Sequence, residues 1–589
     1  MDGKQDAEEA LSRCWAADAM ADADASKIGA GGGLISALLG SGGGVEEEDV
    51  EGTIARQLVK ADAHLMGAVM QLMLGQYIRA GLNLRVGWKL YHACAETRDD
   101  SPTSVPASLA VIVDFGIGMF NLVASLLPAT YLAIAEYIGF GGTRAEATRL
   151  LGRSYEADQV WSPFSALLLL YFYTQLAPNL GLFRREDRDA VEAILASPAA
   201  QRNAESALFL WMDGMAARLY ARDAGRACHR LALAQEAAAG LPALQIMVLH
   251  DTAWTNLEAL EWSEAATTLT CLLRHHTDGK ERRRADIEPY AAVYAYKAAL
   301  CCVLAGNGED GRELLAEVGA ILDSEAGRAK TEAWGAERYA QDRSAYLAET
   351  LGKGESNGGA EVSRLVAEML VLWDRADALP PDSARTLLQQ TGQGPDAESE
   401  MLLRSALLVA AEDDPEASQG EAAALLDALI AATADLDKAV APATEAGAES
   451  GIRGDGGLDT RHVAVFARYL RAKWLFKARG GAAAEGAGTD RAKLLVQQAR
   501  SAGARNVHMV CVQARGREAM LCIELGHART HACARACAVF CMACVRMCVC
   551  VCVICHQAAT RVRESDSIMV KQHQAVNLDF KLHALAEMR

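Results

Sequence analysis

Helical hairpins recur through the middle of the chain, and this repetition constrains the fold more than any other feature. Three segments between residues 204 and 322 carry apolar residues at three- and four-residue steps, each interrupted once by a short polar turn. The turns lie near residues 222–225, 261–263 and 306–308. Because a helix pair of this size cannot bury its apolar face alone, we expect neighbouring pairs to stack on one another.

The repeated unit is a degenerate form of the tetratricopeptide pattern, in which the expected Trp, Leu, Gly and Tyr positions are poorly kept. We predict an all-α fold whose helical hairpins stack into a tetratricopeptide-like α-solenoid. An unrelated all-helical bundle of antiparallel hairpins is the alternative. Further along, residues 361–379 form an amphipathic helix pattern that we expect to end at residues 380–383, and two looser hairpins follow.

Two apolar blocks lie between residues 114 and 185. Residues 115–135 carry no charged side chain, and a membrane span needs roughly 20 apolar residues. Residues 161–182 are similarly uncharged. Polar and helix-breaking residues such as Asn121 and Pro128 interrupt the first block, and neither block has the flanking Lys and Arg of a stop-transfer segment. We favour burial at the centre of the solenoid, with a membrane anchor at 115–135 as the rival interpretation.

The charge balance argues against nucleic acid as a partner. The chain has 58 basic and 76 acidic side chains, a net charge of −18, whereas phosphate binding needs a basic face. The one dense basic segment, residues 274–284, is interpreted as a solvated loop between helices. The first residues are acidic where a signal peptide would be basic and then apolar, so we expect a cytoplasmic protein.

Composition divides the chain into five predicted segments. Glycine clusters prevent a long helix near the start, and a polar, Gly-rich linker interrupts the second half. The predicted segments are a low-complexity, disordered lead at 1–52, a helical-repeat region with the central apolar helices at 53–350, a second helical-repeat region at 360–520 with a Gly-rich insert near 442–460, a Cys-rich aberrant insert at 527–570 and a C-terminal helix at 571–589.

The Cys-rich insert holds eight of the 16 cysteines between His527 and His556. Two Cys-x-x-Cys pairs and the nearby histidines suggest zinc, but a structural zinc site needs two ligand pairs with a folded segment between them. Here cysteines occupy every second to fourth position. Alternating Cys and Val is what a TG dinucleotide repeat encodes, so we interpret the segment as translated repeat sequence that interrupts a helical region. We predict no metal site.

Motifs for catalysis are absent from the sequence. The segment 139–142 contains glycines but lacks the Lys-Ser/Thr of a phosphate-binding loop, and no zinc-protease or nucleophile-elbow motif occurs. His250, His275 and His276 stand apart from other metal-ligating residues and are interpreted as surface or satisfied core histidines. We therefore predict no catalytic, cofactor-binding or metal-binding residue, no cofactor and no enzymatic activity.

One contiguous region of the chain contains a distinctive set of residues: Phe115, Gly116, Gly118, Phe120 and Asn121, the SLLP step at 125–128, and Gly139, Phe140 and Gly142. Other characteristic segments are ADAHLMGAV with LNLRVGWKLY, YAYKAALCC, EMLVLWDRADALP and NLDFKLHAL. These segments and their order resemble the tetratricopeptide repeat protein 39 family, which is shared with the fungal inclusion-body clearance proteins, and the first set is the hallmark of that family. Thr143 stands where the resemblance implies an acidic residue or Asn.

The resemblance and the repeats together predict a non-catalytic scaffold or adaptor. It would bind a protein or peptide partner in the groove of the solenoid, with affinity from apolar contacts and specificity from polar groove residues. The resemblance implies a role in organelle-linked protein quality control. The alternative is a factor associated with the cytosolic face of the mitochondrial outer membrane and anchored through 115–135, and peripheral membrane association stays open.

Overall fold

A computed structural model describes most of the chain between residues 50 and 477. Five predicted features therefore lie wholly or mainly outside the described residues: the lead at 1–52, the basic segment 274–284, the Gly-rich insert, the Cys-rich insert and the C-terminal helix. The described ranges are scattered residues between 11 and 19, then 50–74, 76–100, 105–126, 142–179, 183–277, 291–323, 335–352, 358–391, 397–412, 419–433 and 460–477.

Within these ranges the chain forms helices and no strand, which confirms the predicted all-α helical-repeat solenoid. The helices are α1 Val50–Met73, α2 Tyr77–Asp100, α3 Ala107–Ser125, α4 Arg144–Glu156, α5 Ser162–Tyr171, α6 Ala177–Asn179, α7 Arg188–Ala196, α8 Pro198–Gln201, α9 Ala207–Ala216, α10 Ala224–Ala237, α11 Pro242–Glu258, α12 Trp262–Thr277, α13 Ala291–Leu304, α14 Gly308–Asp323, α15 Gly335–Gly352, α16 Gly358–Leu372, α17 Pro381–Gln390, α18 Ala397–Ala411, α19 Gln419–Ala432 and α20 Thr460–Lys477.

One compact unit contains the described residues up to Leu176 together with Asp189–Ala204. Helices α1 and α2 pair, α3 packs on α4, and α4 packs on α5. Aromatic rings fill the space between them: Phe120 contacts Tyr91 and Trp88, and Phe115 contacts Trp161. The unit is therefore held by a core of rings and aliphatic side chains drawn from successive helices.

Helix α3 begins eight residues before the predicted apolar block and carries a buried charge. Asp114 lies inside the helix and accepts from the guanidinium groups of Arg98 at 2.6 Å and Arg153 at 2.5 Å. By length and composition α3 is the one described helix able to span a membrane, and 78% of its most apolar window is buried within the protein. Residues 127–135, the remainder of the predicted block, lie outside the described ranges.

The second unit contains Ala177–Arg188 and the described residues from Glu205 onward. Its helices pack on their neighbours in sequence order, and a single apolar core runs from Ala253 to Trp474. The three predicted hairpins are confirmed as α9 with α10, α11 with α12 and α13 with α14. Their turns fall where the polar residues predicted them, because Arg222 and Gly306 adopt the left-handed conformation that reverses the chain.

The predicted end of the helix at residues 380–383 is wrong. Helix α16 ends at Leu372, a short 3₁₀ turn follows at Ala376–Ala378, and Pro381 opens α17 rather than closing α16. Proline is favoured in the first turn of a helix because its missing N–H would have no partner there. The earlier break places Trp373 and Arg375 in a turn instead of on a helix.

Candidate functional site

A cluster of aromatic and cationic side chains lies in the second unit, where three elements meet. We name Trp254, Lys297, Trp373 and Arg375 the tryptophan–lysine cluster. Helix α11 supplies Trp254, α13 supplies Lys297, and the turn after α16 supplies the other two. Both α13 and α16 are almost wholly buried, and Trp254, Lys297 and Trp373 are buried too, whereas Arg375 is half-buried.

Lys297 lies at the base of the cluster and is only 3% exposed. Its Nζ lies 3.7 Å from the ring centroid of Trp254 and 5.1 Å from that of Trp373. Such cation–π contacts are worth about 0.5–2 kcal/mol each. Among the described residues Lys297 makes no hydrogen bond and no ion pair. The two ring faces thus partly compensate the ammonium group for the water that it loses on burial.

Burial lowers the pKa of Lys297 well below the usual lysine value, and the positive charge of Arg375 lowers this pKa further, while the nearby Cys301 thiol opposes the shift. Desolvation penalises the charged form of any amine. The surroundings of Lys297 therefore disfavour its ammonium form more than water does around an exposed lysine.

Arg375 is positioned by the turn that ends α16. Its backbone N–H donates to the carbonyl of Leu370 at 2.7 Å, and Asp374 adopts the left-handed conformation with φ 55°. Aspartate tolerates this region better than most residues, and its carboxylate is held by the hydroxyl of Tyr469 at 2.9 Å. The turn leaves the half-buried Arg375 guanidinium 4.8 Å from the Trp254 ring centroid.

His250 borders the cluster one turn before Trp254. The indole N–H of Trp254 donates to its Nε2 at 3.3 Å, and its Nδ1 lies 3.6 Å from the carboxylate of Asp251. Burial would raise the pKa of Asp251, but His250, the charge of Arg218 and the indole N–H of Trp211 together lower it to about 2. His250 is thus a half-buried histidine with partners, as interpreted from the sequence, while the side chains of His275 and His276 lie outside the description.

A second buried polar group is centred on Glu368 in α16, the helix that ends at the turn carrying Arg375. We name Glu368 and the side chains that donate to it the Glu368 network. Glu368 is fully buried and accepts from Arg343 at 2.8 and 2.5 Å. The hydroxyl of Tyr339 donates to it at 2.9 Å and Arg364 at 3.3 Å. A buried carboxylate is tolerated only when its lone pairs are satisfied in this way. The network joins α15 to α16 by charge as well as by apolar contact.

Replacing Lys297 by Met tests the cost of its burial. At about pH 7, we expect the free energy of unfolding to rise by about 1–3 kcal/mol, the scale of burying an unpartnered polar group. The wild type should also gain stability as the pH rises toward the ordinary lysine pKa, because the unfolded chain binds this proton more tightly. The Lys297→Met variant should lack this rise of stability with pH.

Urea denaturation at about pH 7 and about pH 9 measures both effects. Lys89→Met, on the exposed surface of α2, is the matched control and should change neither the stability nor its pH slope. A Lys297→Met protein that is less stable than the wild type at both pH values would show that cation–π contacts outweigh desolvation.

The sequence predicted no site residues, and the cluster was missed because its members are far apart in the chain. One local signal existed: Lys297 stands in YAYKAALCC, where every neighbour is apolar or aromatic. A lysine in a helix that is hydrophobic on all sides has no route to solvent. Among the residues that the structure describes, no group of three His, Cys, Asp or Glu side chains is suited to a metal ion.

The hallmark residues of α3 have packing roles in the first unit. A Cβ at Gly116 would lie 2.0 Å from the Tyr91 ring, so glycine permits the close approach of α2 and α3. The side chain of Asn121 accepts from the backbone N–H of Thr143 at 3.2 Å and thereby ties α3 to the start of α4. Thr143 caps α4 through its hydroxyl, which accepts from Glu146. Asn, Asp and Thr all serve as caps, so this departure from the family pattern is compatible with the fold.

No solved structure matches the chain. The model of the family described as Iml2/Tetratricopeptide repeat protein 39 matches residues 4–391, which include the α3 hallmark, Lys297 and the turn that carries Trp373 and Arg375. This match covers well over half of the chain. The protein belongs to the Iml2/Tetratricopeptide repeat protein 39 family.

Proposed function

We propose that this protein is a non-catalytic scaffold that binds a helical segment of a partner protein. Family membership indicates a helical-repeat protein for protein interaction, and the stacked hairpins of the second unit are the observation that carries the proposal. Stacked helix pairs present extended surfaces that suit peptides and helices. Capture in a solenoid groove, a role in organelle-linked protein quality control and a cytoplasmic location are parts of this proposal.

One surface of the first unit is suited to a partner helix. Leu82 is 60% exposed and Val86 is 38% exposed, and the two lie one turn apart on the same face of α2. Arg79 and Lys89 are exposed one turn to either side. We name these four residues the α2 face. Its positive charge, on a chain of net charge −18, favours an amphipathic helix with acidic residues beside its apolar stripe.

Photo-crosslinking tests the α2 face directly. A photoreactive amino acid at position 82 should yield crosslinked peptides from partner helices with an apolar stripe and flanking Asp or Glu. Arg79→Glu together with Lys89→Glu should reduce the yield by about ten-fold, because like charges facing each other cost several kcal/mol. A photoreactive residue at Val160, which is 41% exposed elsewhere in the unit, is the control position.

Two outcomes would contradict this assignment. Crosslinks of equal yield at positions 82 and 160 would show collision rather than docking. Crosslinks to lipid would favour peripheral association with a membrane. The further alternative, a factor anchored in the mitochondrial outer membrane through 115–135, requires α3 to leave its packing and to part Asp114 from Arg98 and Arg153. We rank it second because separating a buried carboxylate from its partners is costly.

A further inference from the structure

We propose that Arg222 is a clasp that holds the second unit closed, and that its release exposes apolar surface to a partner. Arg222 lies in the turn between α9 and α10, and its side chain is buried. Its guanidinium donates to the carbonyl oxygens of Leu379 at 2.6 Å, Glu412 at 2.8 Å and Ala410. Leu379 follows α16, and the other two acceptors lie at the end of α18. A single side chain therefore joins the first hairpin of the unit to residues that lie 157–190 positions later.

A second contact closes the unit at the same place. The π-helical turn at Ala217–Ala221 packs on the 3₁₀ turn at Ala376–Ala378, and we name this contact the seam. Within the 3₁₀ turn, the carbonyl of Asp377 accepts from Arg185 at 3.3 Å. Repeats of an open solenoid contact only their neighbours in sequence. The clasp and the seam thus show that the second unit folds back on itself.

The turn between α9 and α10 does not by itself explain an arginine at position 222. The residue has a left-handed backbone with φ 53°, a conformation for which Gly is the usual choice because other side chains crowd the backbone. The guanidinium adds donors for Ala410 and Glu412, whose carbonyls lie at a helix end where no intrahelical N–H is available. Its positive charge also suits the C-terminus of α18. Chain reversal needs only the backbone of Arg222, so its side chain is used for closure.

Closure hides the apolar surface that a partner segment would need. At the seam Leu219, Tyr220 and Ala378 are buried. Elsewhere in the unit, residues 291–302 of α13 and 362–372 of α16 are buried without interruption, so these residues offer no face to a partner in this conformation. Release of Arg222 would part the two turns of the seam and expose their apolar side chains to a partner helix. The clasp is then an autoinhibitory contact on the groove, a step that rests on the proposed function.

Hydrogen exchange of the full-length chain without a partner tests the clasp. Arg222→Gly keeps the left-handed turn and removes the guanidinium. The reporters are the amides of Ala378 and Leu379, which donate within the 3₁₀ turn at 3.0 and 3.2 Å. We expect these amides to exchange at least about ten-fold faster than in the wild type, equivalent to about 1.4 kcal/mol of opening free energy. An unchanged exchange rate would show that Arg222 serves the turn alone and would overturn the inference.

Arg385→Ala is the matched control. Arg385 also donates to the end of α18, to the carbonyl of Ala411 at 2.6 Å, but it lies on the neighbouring helix α17. This variant loses a cap of α18 and keeps the clasp, so exchange at Ala378 and Leu379 should match the wild type. Fluorescence of anilinonaphthalene sulfonate, a dye that binds exposed apolar surface, should rise several-fold with Arg222→Gly and not with Arg385→Ala, at an unchanged far-ultraviolet circular dichroism. Equal dye binding by the two variants would contradict the exposure of the seam.

Exchange of the wild type in sub-denaturing urea keeps the test decisive if Arg222→Gly fails to fold. The amides of Ala378 and Leu379 and those in the last turn of α18 should open together, at a lower urea concentration than the amides of α13. If all of these amides exchanged only through global unfolding, the closure would be permanent and the inference would be overturned. No partner is present in these experiments, so failure of the clasp and failure of the proposed partner binding are distinguishable.

Discussion

Replacement of Gly116 by alanine is expected to lower the free energy of unfolding of the first unit by about 3 kcal/mol, the upper part of the range for overpacked cores. The new Cβ would lie 2.0 Å from Cε1 of Tyr91 and 2.3 Å from its Cδ1. Tyr91 cannot swing aside easily, because its ring is fully buried against Phe120 and its hydroxyl donates to Asp62. Either the ring or the whole of α3 must move.

Gly152→Ala on α4 is the matched control. A Cβ at this position meets no atom within 4 Å, and the residue lies in a helix interior. Alanine there should raise the free energy of unfolding by about 0.5–1 kcal/mol, because glycine loses more backbone entropy on folding. Urea titration followed by far-ultraviolet circular dichroism measures both variants. If the free energy of unfolding of Gly116→Ala equalled that of the wild type, the tight contact between α2 and α3 would not be part of the native packing.

Replacement of Glu368 by Gln is expected to cost the second unit about 3–5 kcal/mol, the usual loss when one partner of a buried ion pair is neutralised. The substitution keeps the shape of the side chain, so cavity formation does not contribute. Arg343 is fully buried and Arg364 is 2% exposed, and both would lose the charge that compensates their desolvation. Arg364 would retain Glu361 at 2.5 Å, whereas Arg343 has its carboxylate partner in Glu368.

The same substitution at an exposed ion pair provides the comparison. Glu421 lies 3.3 Å from Arg404 with both side chains more than half exposed, so Glu421→Gln should cost less than about 1 kcal/mol. Guanidinium chloride would screen the pairs, so urea is the suitable denaturant. Equal losses of unfolding free energy for Glu368→Gln and Glu421→Gln would mean that the Glu368 network is hydrated. The network would then not join α15 to α16 as its geometry indicates.

The turns between paired helices could be predicted from the sequence because their causes are local. Glycine at 306 and the polar residues near 222 and 261 permit chain reversal wherever they occur, and helix periodicity needs only a few neighbouring residues to show itself. The family resemblance was likewise readable, since the α3 hallmark is contiguous. The prolines at 380–383 were wrongly predicted to end a helix. A proline can follow the last residue of one helix or lie in the first turn of the next, and only packing distinguishes these two cases.

The tryptophan–lysine cluster and the Glu368 network could not be predicted, because they depend on which helix faces meet. Trp254, Lys297 and Trp373 lie on three different elements, and nothing near any one of them in the chain indicates the other two. The sequence by itself determined an all-helical chain of stacked hairpins, since helix periodicity and turn chemistry act over a few residues. The tertiary structure alone decided that a lysine is buried between two indole rings, because burial is set by neighbours that are distant along the chain and the energetic cost of burying charge depends on those neighbours.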